Sequence, residues 1–293
     1  GAGGTNLLPK QVAAEIWDKA RSATIIPALS SATPIILGDN TFPIVTKKPT
    51  ASIVGEGAAK PQSDLELGAK TIRPIKAVVG LEFTMEAILA NPAGILGLLS
   101  EQLGSALAEQ VDLAVMHGKD ATAGTTIAGV EYLNQTTNRV DIDDAASVDA
   151  ALWEGYGLIV NSGGRDFTGF ALDPRYVFEL ANDRDNLGKR VNEIGIGGAV
   201  TSYAGQPVAV AKSVSGQVEG LPDTGVRGFG GDWDALKFGY NLNIPVKRIE
   251  YGDPFGNGDL QARNAIAYMA EVIFGWAILD KPSFVAYERG LGS

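Results

Sequence analysis

Between Asn91 and His117 the chain carries its clearest helical period. Leu96, Leu99, Leu103, Leu107, Val111 and Ala114 recur every three or four residues, which sets them in one stripe along a helix, while Glu101, Ser105, Glu109 and Asp112 fall elsewhere. Asn91 is placed to cap the first free amides, Pro92 occupies the first turn, where its missing donor is harmless, and Gly118 can end the helix in a left-handed conformation. Some 25 residues at about 1.5 Å each make a rod of about 38 Å, longer than a compact core requires, so it needs neighbours along its length. Such a rod is either the central helix of one large domain or a spine to which separate lobes attach.

The whole chain, 293 residues of which 45% are hydrophobic and 20% charged, can bury one large core or two moderate ones. A formal net charge of -10 restricts any sequence-independent grip on nucleic acid to a local patch. The absence of cysteine and the single histidine, His117, exclude thiolate nucleophiles, disulfides, cysteine zinc sites and any site that needs two histidines. No apolar run is long enough to span a bilayer as a helix, and the N-terminus lacks the basic-then-apolar order of a secretory signal, so no membrane partner is expected. The 37 glycines and 14 prolines punctuate short β segments rather than filling a low-complexity tract.

Residues 1–8 have little to hold them, and a start at Gly1 without methionine reads as processing or as an added terminal segment. Residues 9–22 read as a short helix with Val12, Ile16 and Trp17 on one side, continued by the extended apolar strip Ile25-Ile26-Pro27. This helix either packs on its own domain or is an arm that crosses to another subunit. Residues 41–54 and 68–84 are β runs containing Pro43, Pro49 and Pro74, each of which would delete a ladder bond, so they predict a two-stranded, edge-like hairpin. Its polar tip, residues 55–64, is too long for a tight turn. A two-stranded ribbon is marginal in water, so it is covered by other copies or is a flap over the chain's own core.

Beyond the long helix, residues 119–129 form a Gly/Thr/Ala loop, and Asp141, Asp143 and Asp144 precede a helix from about Ser147 to Val160. Their spacing fits no calcium loop, and carboxylates ahead of a helix complement its dipole, so capping is expected rather than cation binding. Phe170-Ala171-Leu172 predicts a strand and Asp173-Pro174 a capped helix through Asn182. Gly195-Ile196-Gly197-Gly198 lacks the spacing of a phosphate cradle and reads as a loop. Residues 206–211 are a short β run, and residues 235–240 and 244–251 predict a further β pair. Asp253, Asn257 and Asp259 sit in a Gly-rich turn of a kind that can hold a cation but commonly stays empty. Residues 265–277 and 283–287, joined at Asp280-Lys281-Pro282, predict two buried antiparallel strands with a tight turn. Helices beside antiparallel sheets make an α+β protein whose middle can form its own lobe. No catalytic, cofactor-binding or metal-ligating residue emerges, and no cofactor is expected.

The order of these parts resembles that of the major capsid proteins of tailed bacteriophages, the Hong Kong-type capsid fold. The shared parts are an N-terminal arm, a long hairpin with the tip Val54-Gly55-Glu56-Gly57-Ala58, a spine helix, a middle lobe and a terminal Asp-x-Pro-x-Phe strand from Asp280 to Phe284. Phe170-Ala171-Leu172-Asp173-Pro174-Arg175 ahead of a helix and Gly205-Gln206-Pro207-Val208 entering a strand are similar to middle-lobe patterns of the family. The likeness covers nearly the whole chain. It implies an N-arm over residues 1–32, an extended hairpin over 46–78, a peripheral domain over 33–45, 79–143 and 246–293 with the spine helix near 92–117, and an axial domain over 144–245. It further implies peripheral domains meeting around threefold axes and axial domains gathering at the centres of pentamers and hexamers. The scaffolding segment common in the family would be cleaved ahead of this start or replaced by a separate scaffolding protein. Some members crosslink a hairpin lysine to a neighbour's asparagine with help from a glutamate. Lys60 is the tip lysine here, but no matching asparagine or glutamate is found, and it reads as a solvated side chain.

The function implied by the resemblance is structural: many copies form an icosahedral shell around packaged double-stranded DNA, with scaffolding protein, portal and, in members that have one, a decoration protein as partners. The acidic balance agrees, because an inner wall that gripped DNA strongly would hinder packaging, so contact with DNA is expected to be weak and non-specific. The lack of cysteine agrees with a shell assembled in a reducing bacterial cytoplasm before it becomes the virion. Arm, hairpin and spine helix are expected to shift together as a precursor shell expands, the lobes moving as rigid bodies. Encapsulin-like bacterial compartments, which enclose cargo enzymes, are a second reading of the same fold. From a different class, Glu82, Glu86 or Asp112 could supply the carboxylates of a hydrolase.

Overall fold

The computed structural model describes residues 24–30, 40–47, 49–55, 60, 62–90, 92–162, 165–185, 187–192, 194, 200–218, 220–241 and 246–290. The expected helix over residues 9–22, the Asn91 cap, most of the Val54 to Ala58 tip and the 195–198 loop lie outside the described residues.

The spine helix, Pro92–His117, runs for 26 residues. It stops where the sequence predicts: Gly118 takes φ +63°, and its N–H bonds to the Ala114 carbonyl at 2.9 Å. Leu99, Leu103, Leu107, Val111 and Ala114 of the expected stripe are buried. The one-sided pattern nevertheless describes only the first part of the helix. From Val111 to Gly118 every residue is buried, and Asp112, expected on the polar face, is inside at 1% exposure. A helix enclosed all round needs neighbours all round. Two sheets supply them.

In chain order the strands are β1 (Asn40–Lys47), β2 (Glu66–Ile72), β3 (Ile75–Thr84), β4 (Asn138–Asp141), β5 (Gly169–Leu172), β6 (Ser202–Tyr203), β7 (Gln206–Val210), β8 (Val226–Gly231), β9 (Leu236–Asn241), β10 (Lys247–Ile249), β11 (Ala265–Ile278) and β12 (Phe284–Glu288). The first large sheet is antiparallel and centred on β11, with β3 along one edge and β9 and β10 along the other. Contrary to the β pair expected of residues 235–240 and 244–251, β9 and β10 each pair with β11. β11 has 14 residues, long enough for β9 to bond residues 273–278 and β10 residues 267–269, one beyond the other.

The second large sheet has the order β4-β12-β8-β5-β7-β6. Here β12 lies between β4, which is parallel to it, and β8, which is antiparallel. The predicted hairpin of residues 265–277 and 283–287 is therefore absent. Both edges of β11 are already occupied, so the 3-10 turn Lys281–Ser283 carries the chain into the other sheet instead. Side chains alternate along this second sheet. Ala171, Ala209, Phe229, Phe284 and Ala286 belong to the core around the spine helix, whereas Phe170, Leu172, Val208, Val285 and Tyr287 pack with residues of the helices Val148–Asn161 and Pro174–Asn182. Burial on both faces explains why residues 284–287 read as a continuous apolar run.

The middle-lobe helices start as predicted, with Ser147 accepting from the Ala150 amide at 3.1 Å and Asp173 from the Arg175 amide at 2.8 Å. Two of the three carboxylates ahead of the first of these helices, Asp141 and Asp143, do other work than capping. Asp141 accepts the Asp143 amide at 2.9 Å, and Asp143 pairs with Arg289, so they fix a turn and the C-terminal strand's exit. Asp259 accepts the amides of Gly252, Gln261 and Ala262 at 3.0, 2.9 and 3.1 Å, which makes it the organiser of its turn. Among the described residues, no group of three or more His, Asp or Glu side chains is arranged to hold a metal ion.

One close approach tests the layer packing. A Cβ at Gly155 would lie 2.3 Å from the Tyr287 hydroxyl, which itself donates to the Leu152 carbonyl at 3.3 Å. Gly155→Ala is expected to destabilise the protein by about 1–3 kcal/mol, read as a lower urea midpoint at unchanged slope. Gly157→Ala, two positions on, meets nothing closer than 3.8 Å and should be neutral or stabilising by up to about 1 kcal/mol.

Candidate assembly surfaces

Among the described residues β1 and β2 form an antiparallel ribbon with no third strand, paired from Asn40 opposite Ile72 to Val45 opposite Leu67. The predicted second run, residues 68–84, breaks at Arg73-Pro74 into β2 and β3, which lie in different sheets. Proline has no amide to continue the ladder, so the break falls beside it. At the ribbon's root Ile72 is fully buried against Ala277, with Phe42 beside them. Gly275 on β11 makes this possible: a Cβ there would sit 2.6 Å from Ile72 Cγ2 and 3.0 Å from the Arg73 carbonyl. Lys70 donates to Glu131 Oε2 at 2.7 Å, and Lys281 lies 3.2 Å from Glu131 Oε1. Burial works to raise the Glu131 carboxyl, but the hydrogen bonds from the two lysines outweigh it and hold it below the usual carboxylate range.

Away from the root the described residues leave the ribbon uncovered. Val45 and Leu67, opposite each other in the ladder, are 53% and 63% exposed, and Ile53, Val54 and Leu65 beyond them are also in solvent. An apolar two-stranded edge of this kind is a template for another chain. Lys60 is exposed.

The apolar strip that the sequence marks as extended is instead a single helical turn, Ile26–Leu29, with Pro27 in its first turn. Ile25 and Ile26 are buried; Thr24 Oγ1 donates to the Ala108 carbonyl at 3.3 Å, the Ile25 amide to Asp112 Oδ2 at 3.2 Å, and Ser30 Oγ to the Leu236 carbonyl at 2.5 Å. Residues 24–30, the root of the expected arm, thus lie on the spine helix and the start of β9 of their own chain.

A third surface, which the sequence reading did not single out, lies on the middle lobe. Trp153 and Tyr156 are exposed and meet edge to face at 5.9 Å between ring centres, and Phe178 on the neighbouring helix is 68% exposed. The signal was present in the register: Trp153 and Tyr156 fall off the stripe of Ala151, Leu152, Gly155 and Ile159 that the helix Val148–Asn161 buries.

The carboxylates considered for catalysis do not form an acid–base pair. Glu82 bonds Arg263 at 2.5 Å, and Glu86 accepts the Asn264 side-chain amide at 2.5 Å, so the structure brings both to one turn but engages each separately. The Glu86 carboxyl is held below its ordinary value, first by a backbone hydrogen bond and then by Asn264. Asp112 is elsewhere, enclosed between the arm root and Ser213, whose hydroxyl lies 3.4 Å from Oδ2. His117 is buried, with Nε2 donating to the Val214 carbonyl at 2.8 Å and Nδ1 accepting from Asn134 at 3.3 Å. Burial lowers its imidazole to about 4, which leaves it neutral and structural.

Residues 4–288 match the phage capsid family. A curated relative, the probable major capsid protein gp17 of Mycobacterium phage D29, is 29% identical over 161 residues, 54% of this chain and 48% of that protein. The match thus spans about half the length of that relative. Among solved structures, a chain from Gordonia phage Cozz is 50% identical with a TM-score of 0.81 over 91% of this chain and 86% of its own length. One from Mycobacterium phage Ogopogo is 29% identical with a TM-score of 0.80 over 91% and 92%.

The ribbon root yields a test of how its direction is set. Gly275→Val is expected to displace Ile72, destabilise the fold by about 1–3 kcal/mol and speed proteolysis between residues 47 and 66. Lys70→Met, which removes one part-exposed ion pair, should cost less than about 1 kcal/mol and leave the proteolytic pattern unchanged.

Proposed function

The chain belongs to the phage capsid family, and from that membership we propose that it is the major capsid protein of a tailed phage, a structural and not a catalytic part of the virion. Many copies assemble as pentamers and hexamers into an icosahedral shell that encloses the double-stranded DNA genome. The observation that carries this reading is the exposed ribbon: Val45, Ile53, Val54, Leu65 and Leu67 are left in water by the single chain, and a neighbouring copy would cover them. The named relative is a phage protein, which favours a viral shell over a cargo compartment.

Within the shell, residues 1–32 act as the N-arm, 46–78 as the extended hairpin, 33–45, 79–143 and 246–293 as the peripheral domain and 144–245 as the axial domain. The pairing of β12 with β4 and β8 supports a firm join between the last two, because one sheet then draws strands from both. Scaffolding protein and portal are the assembly partners, a decoration protein being a further one where present, and DNA is contacted weakly by an acidic wall.

Purified full-length chain, with and without a scaffolding partner, is expected to give closed shells by negative-stain microscopy and a void-volume peak in size exclusion. Val45→Glu combined with Leu67→Glu changes exposed positions, so stability should move by no more than about 0.5 kcal/mol per site while shells give way to small oligomers. Unaltered shells from the double variant, or only small oligomers of the unmodified chain under all conditions, would overturn the proposal.

A further inference from the structure

Asp112 is a charged residue type in a place where charge is costly. It is 1% exposed on the enclosed part of the spine helix and reaches two other segments of the chain. Its Oδ2 accepts the Ile25 amide of the arm root at 3.2 Å and faces Ser213 Oγ, on the turn Lys212–Ser215, at 3.4 Å. Its Oδ1 is buried with no hydrogen-bond partner among the described residues. A neutral carboxyl tolerates that arrangement, whereas a carboxylate would bury an oxygen to which no described residue donates. Asp112 also borders a cleft of about 350 Å³, which gives protons and water a route to its surroundings.

We propose that Asp112 is a proton-controlled latch between the arm root, residues 24–30, and the spine helix, closed while its carboxyl is protonated and loosened when it ionises. The inference concerns the single chain and does not depend on shell assembly. The charged groups that face Asp112 do not remove the cost of ionisation. Glu109, one turn back, and Lys212, on the opposite turn, border the same cleft with opposite signs. The arm root, residues 24–30, contributes no titratable side chain. His117 is turned to Val214 and Asn134. Burial is the largest influence on the Asp112 carboxyl and raises it to about 7, with the hydrogen bonds from Ile25 and Ser213 opposing it only in part.

A carboxyl raised from 3.8 to about 7 contributes stability that is complete in acid and lost as the pH rises through about 7. His117, lowered from 6.5 to about 4, contributes stability that is present above 6.5 and lost as the pH falls. The two oppose each other across the shared window, so a melting temperature hides the effect and a local measurement is needed. Hydrogen exchange of peptides covering residues 24–30 in the full chain, corrected for the intrinsic pH dependence of exchange, reports arm-root opening directly. From pH 5 to pH 8 the opening constant of the unmodified chain should rise on the order of a hundredfold. Asp112→Asn should abolish that rise, since its amide keeps an acceptor for Ile25 but does not titrate. Ser213→Ala loses a donor that favours the charged form and should carry the rise to higher pH; it also keeps the test alive if the Asn variant fails to fold. A flat profile in the unmodified chain, or a rise of equal size in Asp112→Asn, would overturn the latch.

Discussion

The enclosure of the spine helix's last turns is the constraint on which the rest of the structure depends. Leu103, Leu107, Val111, Ala114, Val115 and Met116 share one core with Ala77, Tyr268, Val272 and Phe274 of the first sheet and with Ala171, Phe229 and Phe284 of the second. One rod therefore ties together a sheet built largely from the end of the chain and a sheet built largely from its middle. Dispersion and desolvation summed along such a contact have no single decisive pair, yet they fix the mutual orientation of everything attached.

How much of this was legible in the sequence depended on whether the signal was local. The spine helix, its glycine stop, the Asp173-Pro174 helix start and the edge character of a ribbon containing Pro43 declared themselves, because capping, periodicity and proline chemistry act over a few residues. Strand partners did not. Residues 265–277 and 283–287 look like a hairpin until both edges of β11 prove to be taken. Residues 235–240 and 244–251 look like a pair until β11 proves long enough to serve both in turn. Competition for an edge is a property of the whole fold and leaves no mark on either strand's own residues.

The assembly surfaces were half legible. A proline-bearing ribbon with a long polar tip needs a partner, and the exposure of Val45 and Leu67 agrees with that need. The aromatic pair Trp153 and Tyr156 carries no periodic signal of its own, because these residues are the complement of the buried stripe. Asp112 was misplaced for a related reason. A carboxylate on an amphipathic helix belongs to the wet side only where there is one, and here the helix has none after Val111.

The position of β12 bears on when the molecule becomes a molecule. Its five residues, Phe284–Glu288, stand inside a six-stranded sheet, between a strand from the first half of the chain and one from the last third. A nascent chain from which residues 284–288 have not yet emerged lacks that strand, so β4 and β8 have nothing between them and the core around the spine helix lacks Phe284 and Ala286. The second sheet therefore closes through a pairing of long sequence separation, and it does so only once residues 284–288 are available.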